Sequence, residues 1–466
     1  MISTHLKQNR GNKDSDRAIV IGGSIAGLLS ARVLAEKFTS VTIVERDVFP
    51  EQPTTRKGVP QSIQPHTFLV KGYRLLEENF PGIGLKLTKA GALKIDWARE
   101  FHLFDKVGWR ANAQYPSNII SFTCSRSLLE WVIREELSKF ENVHFIQGYR
   151  VTGLVCNSAS NRVNGVFISS SNHTVSEELI ATLVVDASGR SSNAPKWLTD
   201  AGLNRPLETV VNPFLGYVTR IYKEPKGFQA DWKIMLISAS APDCTRLGYL
   251  ARIEDGKWVA TLGGYNYDFP STDNEGFLNF ARSLPSSKFY QTIVQAEPVS
   301  PTYAYRATAN RLRHYEKITM PQGFITLGDA VCALCPVYGQ GITVSALAAK
   351  TLKEQLQQES LSEELCTNSF QRKLAEVNLF HWGLATNLDS QFPKTIRDSE
   401  LNIYTNTKLR RKKSGIVGKI LNWYIKRFLY KTTKDASLNT LWLENINLIK
   451  NPTVFFHPSV IFKVLW

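Results

Sequence analysis

The chain has 466 residues, 43% hydrophobic and 21% charged, so its composition is that of a globular protein long enough for two or three domains. The net charge of +15 is uneven, because ten Lys or Arg and no acid lie between Lys408 and Lys434. Residues 1–17 are polar and no run of about 18 apolar residues occurs, which argues against a secretory leader and a membrane-spanning helix. We therefore expect a cytoplasmic protein whose six cysteines are reduced thiols.

The N-terminal residues predict a strand, a helix and a second strand within about thirty residues. Ala18–Gly22 is a short apolar run typical of a buried parallel strand, and Val41–Val44 repeats the pattern. Between these runs, apolar residues recur at helical spacing: Leu28, Leu29, Val33 and Leu34. A βαβ unit of this kind is the setting in which a glycine-rich turn binds a dinucleotide.

The turn at 22–27 has the sequence Gly-Gly-Ser-Ile-Ala-Gly. Gly22 would permit the tight turn after the strand, and Gly27 would let the helix pack closely on it. Ser24 takes the usual middle-glycine position, and the backbone N–H groups of the turn, up to Ala26, would hold a pyrophosphate. Glu45 lies 23 residues after Gly22, where a carboxylate would bind the ribose hydroxyls.

The middle of the chain predicts one helix followed mainly by strands. Ser125 would cap a helix that ends near Lys139. The predicted strands are Val143–Ile146, Tyr149–Cys156, Val163–Ser169, Leu179–Val185 and Phe324–Leu327. An Asp255-Gly256 turn between the alternating runs Leu247–Glu254 and Lys257–Leu262 predicts a hairpin in a separate antiparallel sheet. Thr343–Gln357 and most of the chain beyond it are predicted to be helical.

A second glycine-bearing segment follows the strand at Phe324–Leu327. Asp329, after Gly328 at the end of that strand, would accept hydrogen bonds from a ribityl or ribose chain. Pro336 would stiffen the loop that faces a ring. Gly339-Gln340-Gly341 would open a helix whose free N–H groups stabilise negative charge on a reduced flavin. Two distant segments thus favour one ligand, FAD.

These motifs resemble the single-component FAD-dependent monooxygenases (group A), which share the para-hydroxybenzoate hydroxylase fold. The resemblance runs from about Ala18 to the C-terminus and is most specific in its first and last motifs. It also includes Ser125-Arg126 and the Asp-Ala-Ser-Gly-Arg segment at 186–190. Within the family, Arg56-x-Gly58-Val-Pro-Gln61-x-x-x-x-His66 is most similar to the squalene and polyether epoxidase branch.

The resemblance implies a set of FAD-binding residues. It assigns the pyrophosphate to 22–27, the adenosine ribose to Glu45 and Arg46, and the adenine to the backbone of Val151. Arg56 and Arg126 would contact the ribityl and phosphate portions, Asp329 the ribityl, and 339–341 the underside of the ring. The chain departs from the family in two places: the family's Asp-Gly pair near Arg190 is Ser188-Gly189 here, and Cys332 stands where His is common.

The implied fold is α/β: a ββα three-layer FAD/NAD(P)-binding domain with an inserted antiparallel substrate domain and a C-terminal helical region. The expected boundaries are 16–205 for the first part of the FAD domain, with substrate-domain segments at 60–120, 206–305 for the β-rich substrate domain, 306–360 for the second FAD part and 361–466 for the helical region. The implied reaction uses NADPH or NADH and O₂. A flavin C4a-hydroperoxide would pass one oxygen atom to an apolar organic substrate, by epoxidation or hydroxylation.

Several alternatives stay open. Cys332-x-x-Cys335 has the spacing of a redox pair, although two small buried residues are the simpler interpretation. His66 is expected to pack against the cofactor, no catalytic acid or base is identified, and no His/Cys/Asp cluster has metal-ligand spacing. The alternative functions are an FAD-dependent reductase or dehydrogenase of a prenyl-type lipid, and a noncatalytic FAD- or lipid-binding protein. A halogenase is disfavoured because the chain has no Trp-x-Trp-x-Ile-Pro segment.

The basic segment at 408–434 has two interpretations. Ile416, Ile420, Tyr424 and Phe428 follow i+4 spacing, with a polar stripe of Lys419, Asn422 and Lys426 beside them. Such a helix would either lie weakly on an anionic membrane surface or dock over the substrate domain with its charges solvated. Nucleic-acid binding is not expected, because no recognised motif accompanies the charge.

Overall fold

The computed structural model describes residues 16–56, 60–66, 68–157, 160–170, 176–358, 365–401 and 415–466. Its strands are β1 (Arg17–Ile21), β2 (Ser40–Glu45), β3 (Leu93–Asp96), β4 (Phe101–Asp105), β5 (Gly108–Trp109), β6 (Ile120–Thr123), β7 (Val143–Gln147), β8 (Tyr149–Asn157), β9 (Arg162–Ser170), β10 (Glu177–Ile180), β11 (Leu183–Asp186), β12 (Glu208–Asn212), β13 (Gly216–Lys223), β14 (Ile234–Ile237), β15 (Arg246–Ile253), β16 (Lys257–Gly264), β17 (Glu297–Pro298), β18 (Tyr303–Tyr305), β19 (Asn310–Arg313), β20 (Phe324–Thr326), β21 (Cys332–Ala333) and β22 (Ile396–Ser399).

The α-helices in the same residues are α1 (Ile25–Leu34), α2 (Val70–Asn79), α3 (Ile83–Lys89), α4 (Trp97–Glu100), α5 (Arg126–Leu137), α6 (Ala194–Asp200), α7 (Asn274–Arg282), α8 (Lys288–Ile293), α9 (Gly341–Gln358), α10 (Thr367–Asp389), α11 (Ile416–Lys431), α12 (Ala436–Ile446) and α13 (Pro458–Leu465). Short 3₁₀ turns lie at Pro60–Ile63, Tyr315–Lys317, Gly328–Ala330, Pro336–Tyr338 and Pro452–Phe456. None of these helices is both long enough and apolar enough to cross a membrane.

A five-stranded parallel sheet in the order β20-β11-β1-β2-β7 forms the centre of the largest hydrophobic core. Strands β1, β11 and β20 are almost entirely buried, as apolar runs covered on both faces should be, whereas the edge strand β7 is largely accessible. Helix α1 packs on β1, β2 and β11 and also contacts α9, while β8 and β9 of a three-stranded antiparallel sheet contact β2 and β11. The result is the expected ββα three-layer arrangement.

A second, larger sheet carries the order β17-β13-β16-β15-β14-β4-β5, with β18 paired to β13. Its centre is the predicted hairpin of β15 and β16, which is confirmed. The pairing of Ile253 with Lys257 makes the connection a three-residue loop, Glu254–Gly256, in place of the predicted two-residue Asp255-Gly256 turn. Asp255 and Gly256 both have positive φ, near 60°. Helices α7 and α8 cover this sheet through Phe277 and Phe289. The fold-class prediction is therefore confirmed: a mixed α/β protein with a separate antiparallel sheet and a helical C-terminal region.

Some predicted element boundaries were wrong. The single strand predicted at Leu179–Val185 is two strands: β10 pairs with β9 in the antiparallel sheet, and β11 joins the parallel sheet. The chain changes sheets at Thr182, whose N–H donates to the carbonyl of Arg17. The helix predicted from Thr343 begins two residues earlier, at Gly341. The Ser125 cap is confirmed, because its Oγ accepts a hydrogen bond from the Leu128 N–H at 3.1 Å.

Candidate functional site

The glycine turn after β1 is packed too tightly for larger residues. Gly22 has φ +98°, and a Cβ at Gly27 would lie 1.8 Å from the carbonyl oxygen of Gly22. The Gly22 N–H donates to the carbonyl of Val44 at 2.9 Å, which ties the turn to the neighbouring strand β2. Helix α1 therefore starts directly over the end of β1, and its first N–H groups have no partner within the helix.

Glu45 connects the end of β2 to the same turn. Its Oε2 accepts a hydrogen bond from the Gly23 N–H at 2.8 Å, and its Oε1 accepts one from the Asp47 N–H at 3.1 Å. The carboxylate is buried and also forms an ion pair with Arg56 at 3.2 Å. Strand β2 thus presents a fixed negative charge beside the glycine turn.

Three charged side chains meet beside Ser24. Glu130, which sequence reasoning did not identify, accepts hydrogen bonds from Ser24 Oγ at 2.6 Å and from Arg56 Nε at 3.0 Å. Arg126 Nη2 donates to Ser24 Oγ at 2.7 Å, and its Nη2 lies 3.5 Å from the Glu130 carboxylate. The hydroxyl of Ser24, which takes the middle-glycine position, is therefore held by Glu130 and Arg126. The i, i+4 spacing of Arg126 and Glu130 was the signal available in the sequence.

Arg126 keeps an open donor. Its Nε is buried and has no hydrogen-bond partner within the part of the chain that the structure describes. Burial lowers the pKa of its guanidinium, while Glu130 and Asp329 favour the charged form. An unsatisfied buried donor of this kind costs free energy unless a ligand or water completes it.

The second glycine segment lies directly against the first. Gly328 has φ +63°, and a Cβ there would lie 2.9 Å from the Cβ of Ala26. Asp329 follows it and accepts no hydrogen bond from any described residue through its carboxylate. Burial raises the pKa of this carboxyl group, and the charges of Arg190 and Arg126 oppose that rise. The two segments predicted to share one ligand are therefore adjacent in space.

The loop before α9 ends in a left-handed glycine. Gly339 has φ +62°, and Pro336 is exposed. A Cβ at Gly341 would meet no protein atom within 4 Å, so the start of α9 opens into free space. The Gln340 side chain points away from that space, because its Oε1 contacts Nδ1 of His381 on α10 at 2.9 Å.

One cavity of about 890 Å³ lies between these elements, within the range of roughly 300–1,000 Å³ that is usual for ligand pockets. Most of the predicted site residues line it: Gly22, Ser24, Ala26, Glu45, Arg46, Arg56, Arg126, Val151, Asp329, Pro336, Gly339 and Gly341. Gly27, Gly328 and Gln340 do not line it and instead form the packing behind its walls. Val151 borders the cavity where the pairing of β8 with β9 shifts register.

His66 also lines the cavity. Its Nδ1 is 2.8 Å from the carbonyl oxygen of Gln64, which can only accept, so Nδ1 carries the hydrogen and Nε2 is the acceptor. Burial and the positive charge of Arg126 lower the pKa of His66 to about 3. The ring is therefore neutral at physiological pH. Two parts of the same predicted motif lie outside the described residues: Gly58 and the side chain of Gln61.

The Cys332 and Cys335 side chains line the cavity as free thiols. Burial raises the pKa of both thiols, which disfavours the thiolate needed for exchange. Ser188, which differs from the Asp of the resembled family, is also accommodated. Its Oγ donates to Asp186 Oδ1 at 2.5 Å. No group of three or more possible metal ligands occurs among the described residues.

A second cluster supports the loop before α9 from behind. Asp389, at the end of α10, is fully buried and accepts hydrogen bonds from the hydroxyl of Tyr338 and from Asn310 Nδ2 at 2.6 Å. Asn310 Oδ1 in turn accepts from the Cys335 N–H at 2.7 Å. Burial raises the pKa of Asp389 to about 6. Its spacing from the other members follows no sequence motif, so only the folded chain reveals this cluster.

Comparison with known proteins places the chain in a family. It is 32% identical over 354 residues to Protein Rv3254 of Mycobacterium tuberculosis (strain ATCC 25618 / H37Rv), a match that covers 74% of each protein. The chain belongs to the same family as Rv3254. No protein-family model matches the chain.

Solved structures of more distant proteins share the fold. The p-nitrophenol 4-monooxygenase PnpA from Pseudomonas putida DLL-E4 is 16% identical, with a TM-score of 0.63 over 94% of this chain and 99% of that one. The myxobacterial chondrochloren halogenase CndH is 14% identical, with a TM-score of 0.62 over 97% and 98% of the two chains. PqsL from Pseudomonas aeruginosa, a probable FAD-dependent monooxygenase, is 16% identical, with a TM-score of 0.58 over 81% and 97%.

Proposed function

We propose that this chain is an FAD-dependent monooxygenase that uses NADPH or NADH and O₂ to epoxidise or hydroxylate an apolar organic substrate. The observation that carries the proposal is the contact between the two glycine segments, where Gly328 packs against Ala26 at the wall of one large cavity. The fold shared with PnpA, CndH and PqsL supports it, because these proteins are a p-nitrophenol 4-monooxygenase, an FAD-dependent halogenase and a probable FAD-dependent monooxygenase.

The residues around the cavity fit an FAD molecule. The start of α1 would offer N–H groups to a pyrophosphate, and Arg126 adds a buried donor that has no partner among the residues the structure describes. Glu45 lies at the end of β2, where it would bind ribose hydroxyls, and the Asp329 carboxylate is open to a ribityl chain. The open space beside Gly341 would admit the ring against the N-terminus of α9.

When bound, FAD would supply two-electron redox chemistry and the activation of O₂. The chain's own residues would bind it, orient it and exclude water. Leu334, Ile342 and Val344 make part of the cavity wall apolar, and Tyr305 of β18 borders it from the side of the larger sheet. His66 would present a neutral hydrogen-bond acceptor, Nε2, to the bound ligand. Because FAD would supply the reaction chemistry, the proposed function needs no nucleophilic triad.

We assign the larger sheet to substrate binding, with 206–305 as its main segment. Residues 16–205 and 306–360 would form the FAD domain, with segments at 60–120 joining the substrate side, and 361–466 would form the helical region. The pairing of β4 with β14 supports this division, because it inserts residues 101–104 into the larger sheet. Epoxidation in the manner of the squalene and polyether branch is the more specific proposal. A cytoplasmic location stays a prediction.

Anaerobic reduction by NADPH or NADH followed by addition of O₂ tests the proposal. The expected result is a yellow protein that bleaches, a candidate alkene or phenol that accelerates bleaching, and a product that carries one oxygen atom from O₂. Reduction coupled to saturation of a prenyl lipid, without oxygen incorporation, would instead identify a reductase. A yellow protein that never bleaches would identify a noncatalytic binder, and halogenated product formed only with halide would identify a halogenase.

A further inference from the structure

Helix α11 presents a stripe of lysines and aromatic rings to solvent. Lys419, Trp423, Lys426 and Tyr430 recur at i, i+4, i+7 and i+11, so they share one face of the helix. Trp423 is 53% exposed and Tyr430 is 47% exposed. The opposite face is the one that packs, because Phe428 is only 4% exposed, in a cluster with α12 and α13.

The end of α13 extends the same surface. Arg427 donates from Nε to the Val464 carbonyl at 2.6 Å and from Nη2 to the Leu465 carbonyl at 2.8 Å. Its guanidinium carbon lies 5.9 Å from the Trp423 ring centroid, so the end of α13 is held beside the stripe. Phe462 is 65% exposed and Trp466 is 82% exposed. We call the set Lys419, Ile420, Trp423, Lys426, Tyr430, Phe462 and Trp466 the C-terminal aromatic surface.

The segment that carries the stripe has charges of one sign. No acid occurs between Lys408 and Lys434, and the sequence adds five cations at 408–413, which lie outside the described residues. The first acid after the stripe, Asp435, caps α12 by accepting from the N–H groups of Ser437 and Leu438. The Nζ of Lys434 lies 4.8 Å from the Tyr430 ring centroid, so this cation lies beside the stripe.

We infer that the C-terminal aromatic surface docks on the face of an anionic lipid bilayer. Trp and Tyr rings with flanking lysines are the side chains that partition to the headgroup region, where the rings enter the interface and the cations meet lipid phosphate. The complementary charge selects an anionic bilayer, because each Lys or Arg near such a surface adds to binding and each exposed ring adds apolar area. This inference is independent of the proposed oxygenase activity.

Co-sedimentation of the full chain with vesicles tests the inference. The probes are phosphatidylcholine vesicles with and without phosphatidylglycerol, at about 0.05 and 0.5 M salt. We expect binding to the anionic vesicles at low salt, strong weakening at high salt and little binding to phosphatidylcholine alone. Absence of binding to anionic vesicles at low salt would overturn the inference, as would a dimer in solution that buries this surface.

Matched variants locate the contact. Lys419→Gln with Lys426→Gln should weaken binding about 30-fold, because two cations leave the interface. Lys89→Gln with Lys196→Gln, equally exposed on α3 and α6, should have no effect beyond that of net charge. Equal losses from the two pairs would show that only overall charge matters and would refute a docking surface.

The aromatic part needs its own comparison, because charge alone would also attract a protein to anionic vesicles. Trp423→Ser with Trp466→Ser should weaken binding to anionic vesicles, while Leu379→Ser, at 67% exposure on α10, should not. Thermal unfolding of every variant should match the wild type, since all these side chains are exposed. Unchanged binding of the tryptophan variant would overturn insertion of this surface.

Discussion

Replacement of Gly341 by Ala separates the folding role of this glycine from its role at the cofactor site. The residue begins α9 and lines the cavity, its φ is not positive, and a Cβ there would meet no protein atom within 4 Å. The protein without cofactor should therefore tolerate the methyl group. Ala also restricts the unfolded chain, so the free energy of unfolding should be unchanged or rise by up to about 1 kcal/mol.

Cofactor binding should respond in the opposite direction. If FAD fills the open space at the start of α9, the new methyl group would occupy volume that the ligand needs. Forced overpacking costs about 1–3 kcal/mol, which corresponds to a rise in Kd of roughly 5- to 150-fold. The prediction is a variant that is at least as stable as the wild type and yet binds FAD more weakly.

Two measurements on the same samples check this prediction. Chemical unfolding without FAD gives stability, and quenching of flavin fluorescence on titration with protein gives Kd. Gly383→Ala is the matched control, because a Cβ on this α10 glycine also meets no atom within 4 Å and lies away from the cavity. A Gly341→Ala protein that binds FAD as tightly as Gly383→Ala would refute the placement of the ring at α9.

Three further perturbations have defined outcomes. Gly27→Ala should lower the melting temperature and abolish FAD binding, because its Cβ would sit 1.8 Å from the Gly22 carbonyl oxygen. Glu130→Gln should cost roughly 3 kcal/mol in urea unfolding, because buried Arg126 loses the carboxylate it pairs with and Arg56 loses one of its three, whereas the exposed Glu135→Gln should cost little. The raised pKa of Asp389, about 6 against the usual 3.8, means that its contribution to stability is complete below about pH 4 and lost as pH rises through 6. Relative to Asp389→Asn, the wild type should therefore lose roughly 3 kcal/mol between pH 4 and 7, and parallel pH profiles would contradict this.

The elements with strong local signals were predictable from sequence. The βαβ unit and the β15–β16 hairpin depend on turns that few residues other than Gly can form, so Gly22 and Gly256 indicate them directly. The change of sheet at Thr182 has no such signal, because the apolar run continues through it. Only the pairing of β10 with β9 and of β11 with β1 decides where one strand ends.

The candidate site divides in the same way. Glu45 and Asp329 belong to sequence motifs, so their place at the cavity wall could be predicted. Glu130 and Asp389 act on other protein groups, and the partners of Asp389 come from β19 and the loop before α9.

The helix at 416–431 was predicted with Ile420 and Phe428 on one face, but Phe428 is buried and Ile420 is 59% exposed.

The contact between Ala26 and Gly328 joins two segments that lie far apart in the sequence. During synthesis, the parallel strands from β1 to β11 emerge early, while β20 and the start of α9 emerge only after the whole antiparallel sheet. Until then, the nascent chain carries only the first of the two glycine segments that border the cavity. If the cavity binds a nucleotide, binding cannot be complete before the start of α9 has been made, so it would lock an already extensive tertiary structure rather than template an early one.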